Sequence, residues 1–109
     1  MDIVGGFQSA LNLHRQGRLG EAEALCREVL SAEPAHVEAL DLLGVLCVES
    51  GRFDAAAGFL RRAVALRPEH GRTHAYLGFA LRRLGQLHLQ AASDEELPAQ
   101  MLRKLPVRH

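Results

Sequence analysis

The 109-residue sequence predicts an all-α superhelix of stacked helical hairpins. Three observations carry this. Gly17, Gly51 and Gly85 recur every 34 residues, and Pro34 and Pro68 share that spacing. Glycine and proline punctuate helices, so a common period marks recurring helix ends. Between them the apolar residues fall at helical spacing. Leu and Ala dominate the composition and Ile occurs once, which favours helix over strand.

The central unit is the clearest. Leu40, Leu43, Gly44 and Cys47 lie at i, i+3, i+4 and i+7, one face of a helix over 36–49. Gly51 follows it, where a left-handed cap wants glycine. Ala56, Leu60, Ala63 and Val64 give a second helix over 53–66, and Pro68 ends it. The 34-residue offset sets the rest: first-hairpin helices over 3–16 and 20–32, and a fifth helix over 70–83. Each unit pairs a helix A with an antiparallel helix B. Gly44 and Gly78 lack a Cβ, so close approach of A to B is expected at both. Ala22 and Ala56 are small on the facing helix for the same reason.

These residues resemble the tetratricopeptide repeat, whose pattern is W-x2-L-G-x2-Y, A-x3-F, P. The central unit reads Leu40-x2-Leu43-Gly44-x2-Cys47, Ala56-x3-Leu60, Pro68. The third keeps His74-x2-Leu77-Gly78-x2-Leu81 and Gly85. The first keeps Gly17, Ala22, Cys26 and Pro34, with Gly6 and Ser9-Ala10 where the family has its large residue and Leu-Gly. The sequence is also similar to the N-terminal repeat arms of bacterial glycosyltransferase and sulfotransferase proteins. The resemblance implies a right-handed superhelix of two and a half to three repeats within residues 1–92, at about 3–36, 37–70 and an incomplete 71–92.

The pattern fails in the third unit. Gln90 replaces the small Ala, and Asp94 replaces the large apolar residue. A short helix over 86–92 and a break are expected. An irregular tail over 93–109 follows, with a helix near 98–105 packing back through Leu97, Met101, Leu102 and Leu105. A frayed tail is the other reading. Without cover, Leu77, Leu81 and Leu84 favour self-association, so a homo-oligomer through the third repeat is an alternative.

Composition excludes several classes. Thirteen basic residues balance thirteen acidic ones, aromatics are 5% and Trp is absent, so a nucleic-acid partner is not expected. The longest apolar stretch, near residues 39–48, is half a membrane span and contains Asp41, so no membrane partner is expected. No basic, apolar leader opens the sequence, and a cytoplasmic location is the expectation. P-loop, Gly-x-Ser-x-Gly, His-Glu-x-x-His and Cys-x-x-Cys motifs are missing. His70 and His74 have metal-ligand spacing, but His36 is the repeat mate of His70, which favours a turn role. Cys26 and Cys47 fall on core positions. No enzyme, metal or cofactor is expected.

A binding module remains. The family resemblance implies that the A helices line a concave groove holding a peptide or helix of a protein partner. The groove residues would be Phe7, Leu11 and Arg15 on the first A helix. Glu38, Asp41, Val45 and Val48 follow on the second, and Arg72, Phe79 and Arg82 on the third. The centre is apolar, and one edge turns from acidic to basic. Phe7, Leu11, Leu42, Arg72 and Tyr76 stand where a chaperone-tail carboxylate clamp has Lys and Asn, and only Arg72 could serve, which disfavours that subclass. The alternative function is a self-associating scaffold unit, or the remnant targeting arm of a larger transferase.

Overall fold

A computed structural model describes residues 2–91. They form five helices: α1 (Ile3–Arg15), α2 (Leu19–Ala32), α3 (Val37–Glu49), α4 (Phe53–Leu66) and α5 (Gly71–Ala91), with no strand among the described residues. Both tight turns use the expected glycine. Gly17 and Gly51 have φ of +78° and +79°, a region costly for residues with a Cβ. The chain reverses there through backbone bonds from Arg18 N to Leu13 O (2.9 Å) and from Arg52 N to Cys47 O (2.8 Å).

The links between hairpins repeat just as closely. Glu33 and Arg67 both adopt φ −141°, because the following proline pushes its predecessor out of helical conformation. His36 then caps α3. Its Nδ1 accepts from Ala39 N at 3.1 Å, satisfying one of the orphan donors of the first turn. The sequence suggested only a surface turn for this residue.

The core lies between the A and B layers. Leu40, Leu43, Cys47, Ala56 and Leu60 are fully buried, as are Ala10, Ala22 and Cys26 one repeat earlier. The closest approach is at Gly44. A Cβ there would sit 2.5 Å from both Cγ and Cδ2 of Leu60. Burial pushes the Cys26 thiol up to about 12 and raises that of Cys47, so both behave as small hydrophobes. Outside the core, Glu23 on α2 accepts from Arg52 in the α3–α4 turn and from Arg27 Nη2 at 2.9 Å. Arg52 dominates in holding the Glu23 carboxyl down at about 2.

The third unit departs from expectation. No turn forms at Gly85, and α5 continues as one helix to Ala91 instead of breaking after residue 83. The physical reason is the absence of a suitable returning face. Gln90 and Asp94 would have to bury an amide and a carboxylate where Ala56 and Leu60 pack in the second unit. Running straight through costs only one glycine in a helix interior, about 1 kcal/mol. Among the described residues nothing lies within 4 Å of the Gly78 Cβ position, so none of them makes the expected close approach there. Leu81 is 39% exposed, whereas its repeat mate Cys47 is fully buried. The expected tail helix over 98–105 lies outside the described residues.

Candidate functional site

α1, α3 and α5 form the A layer, and α3 lies between the other two. Their shared face holds two hollows. The first, of about 240 Å³, is walled by Phe7 and Leu11 from α1 and by Val37, Glu38, Asp41 and Leu42 from α3. Arg67 and His70 enter it from the α4–α5 link, and Arg72 from α5. The second, of about 390 Å³, is almost wholly apolar and lies between Val48 and the α5 residues Ala75, Tyr76 and Phe79.

The polar wall of the first hollow is largely committed to itself. Arg67 Nη2 donates to Glu38 Oε2 at 2.9 Å, and this contact leads in holding the Glu38 carboxyl below its ordinary range. Thr73 is 1% exposed, and its hydroxyl donates to Asp41 Oδ1 at 2.9 Å, tying α5 to α3. That uses its only proton, so Thr73 Oγ1 accepts from His70 Nδ1 at 2.7 Å. The Phe7 ring leans against His36, with centroids 5.3 Å apart. At the far end of the same helices, His14 Nε2 donates to Glu49 Oε1 at 2.8 Å.

Of the residues the sequence singled out, Phe7, Leu11, Glu38, Asp41 and Arg72 line the first hollow, and Val48 and Phe79 line the second. Arg15 and Arg82 are exposed but line neither. Val45 is a correction: at 2% exposure it belongs to the core. The central A helix has a neighbour on each side, which encloses a position that stays 39% open at Phe79 on α5. Val37, Arg67 and His70 were missed. They stand outside the A-helix positions the repeat pattern assigns to the groove. The offsets of Arg67 from Glu33, each preceding a proline, and of His70 from His36 hinted at recurring loop positions. Among the described residues no three His, Cys, Asp or Glu side chains gather as metal ligands, and His74 Nε2 instead donates to the Pro68 carbonyl.

Helical hairpins stacked at a 34-residue period, with a hollow on the A side, define a helical-repeat solenoid. A family model described as tetratricopeptide repeat matches residues 13–75. The chain belongs to the tetratricopeptide repeat family, and its fold is the right-handed superhelix of that family. It is 26% identical over 99 residues to the cytochrome c-type biogenesis protein CycH of Pseudomonas aeruginosa, covering 90% of this chain and 24% of the relative. Among solved structures it is similar to a mutant of the Thermobaculum terrenum O-GlcNAc transferase, with 34% identity and a TM-score of 0.67. That match covers 81% of this chain and 19% of the other. The chain thus spans about a quarter or less of either relative's length. Tetratricopeptide repeats are non-catalytic and generally mediate protein–protein interaction. No helix among the described residues is long and apolar enough to cross a membrane.

Proposed function

We propose that this chain is a non-catalytic module that holds a peptide or helix of a partner protein on its A-helix face. The observation that carries the reading is the pair of hollows, which leaves Phe79 39% exposed beside an almost wholly apolar cavity. An open apolar strip rimmed by charge is what protein contacts use. Two free, buried cysteines suit a reducing compartment, and the reading places the module in the cytoplasm. Nucleic acid is not a partner in this reading, since thirteen acidic residues balance thirteen basic ones and aromatics are 5% of the sequence.

The test replaces Phe79→Glu together with Val48→Glu. Both side chains are at least partly solvent-exposed, so the helices should persist by circular dichroism. Proteins captured by the wild-type chain from native lysate, identified by mass spectrometry, should be lost with the double variant. An unchanged captured set removes the site assignment.

A second reading is favoured by one specific observation, the open Gly78–Leu81 face of α5. There the chain would self-associate as a scaffold unit or dock a transferase domain as its targeting arm. Light scattering across a concentration series tests the former, and a strict monomer sinks it.

A further inference from the structure

We infer that one wall of the first hollow carries a proton switch: adding a proton to His36 unfastens the first turn of α3, while its repeat mate His70 already bears a proton on the same ring nitrogen and stays fastened. The two histidines stand 34 residues apart, each directly before an A helix. His36 Nδ1 accepts from Ala39 N at 3.1 Å, so that nitrogen is bare and the ring proton sits on Nε2. Ala39 is 0% exposed. Its N–H belongs to the first turn, where the helix offers no acceptor, and burial keeps water from replacing the ring. A protonated Nδ1 would face that donor with a second donor and leave a buried N–H unpaired.

The third unit has Thr73 where the second has Ala39, and this one difference reverses the polarity. Thr73 is equally enclosed. Its hydroxyl proton goes to Asp41 Oδ1 at 2.9 Å, so His70 Nδ1, 2.7 Å from the same hydroxyl oxygen, must donate. A second proton, arriving on Nε2, leaves that bond intact. The groups around each ring set the outcome. At His36, α3 presents Glu38, whose Oε1 is 3.6 Å from Nδ1. The α4–α5 link presents Arg67, 2.9 Å from the other oxygen of that carboxylate, and α1 presents the uncharged Phe7 ring. A proton on Nδ1 therefore turns the ring's bond from Ala39 towards Glu38. At His70, α3 presents Asp41, and Arg67 and Arg72 line the same hollow. Val37 and Glu38 belong to the turn that loosens, so acid opens their wall of the hollow and leaves the Thr73–Asp41 wall closed. The switch is built into the chain alone and needs no partner.

The test is NMR of the isotope-labelled full chain from about pH 8 to about pH 5, the range in which imidazoles gain a second proton. At the upper end, long-range ring correlations should show His36 protonated on Nε2 and His70 on Nδ1. As pH falls, protection of the Ala39 amide from hydrogen exchange, corrected for the intrinsic rate, should drop about fivefold, the worth of one helix cap. Protection of the Thr73 amide should stay within about twofold, since its tie survives. His36→Asn, which caps a helix without titrating, should keep Ala39 protection flat across the range. One tautomer shared by both rings, Ala39 protection that does not fall, or the same fall in His36→Asn overturns the switch.

Discussion

Replacing Gly44 and Gly78 by alanine, one at a time, should change stability in opposite directions. The two positions are 34 residues apart and equivalent in the repeat. Both lie inside helices, so each variant gains about 1 kcal/mol from the loss of an interior glycine. At Gly44 the new methyl would sit 2.5 Å from Cγ and Cδ2 of Leu60, against an ordinary contact of 3.4–4 Å. Leu60 is fully buried and cannot swing aside, so α4 must move or the side chain must leave its rotamer. Overpacking of this kind costs about 1–3 kcal/mol. Gly44→Ala should therefore be neutral to about 2 kcal/mol destabilised, after the helix gain is subtracted. At Gly78 no described residue lies within 4 Å, so the helix gain stands alone.

Because the propensity term is common to both, the difference between the variants isolates the overpacking cost. One kcal/mol moves the midpoint of a domain this size by about 4–8 °C. Thermal melts followed at 222 nm should place Gly78→Ala above wild type, and Gly44→Ala at least about 4 °C below Gly78→Ala. Equal midpoints, or a Gly78→Ala variant that melts below wild type, would refute the argument. Equal midpoints would mean that Leu60 yields to the new methyl, and a loss at Gly78 would mean that the added methyl meets a neighbour.

Two further predictions concern ionisable groups. The folded state holds Glu23 at about 2, below its ordinary 4.5, chiefly through Arg52. A depressed carboxyl stabilises the fold above its unfolded value, and that contribution is lost as pH falls from 4.5 towards 2. Urea midpoints should fall more steeply over that window for wild type than for Glu23→Gln, and parallel profiles would contradict the pairing. For the cysteines, a Cys26 thiol at about 12 leaves almost no thiolate at pH 8. A disulfide reagent should leave the native chain unmodified at that pH and titrate both thiols in guanidinium. Rapid native reaction would show that the A–B interface opens readily.

Much of this protein is local in origin and could be read residue by residue. Gly17 and Gly51 reverse the chain because a left-handed residue is needed there, whatever surrounds it. Pro34 and Pro68 end α2 and α4 by removing a donor and constraining their predecessors. Leu40, Leu43 and Cys47 on α3 and Leu60 on α4 are buried at helical spacing, and α3 buries Leu42, Val45 and Leu46 besides because it has a helix on each side. The groove positions Phe7, Asp41 and Arg72 came instead from the family resemblance, carried over along the 34-residue register.

The tertiary arrangement decided the rest. Gly85 has the same local character as Gly17 and Gly51, yet α5 runs through it, because a turn is worth making only when the returning helix has a face to bury. Gly78 differs from Gly44, and Phe79 from Val45, solely in which neighbours arrive. The ties from Arg67 to Glu38 and from Thr73 to Asp41 join residues 29 and 32 positions apart. Backbone preference and apolar spacing act within a few residues of chain and are written there. Enclosure and charge pairing depend on which surfaces meet, and those meetings exist only once the hairpins have stacked.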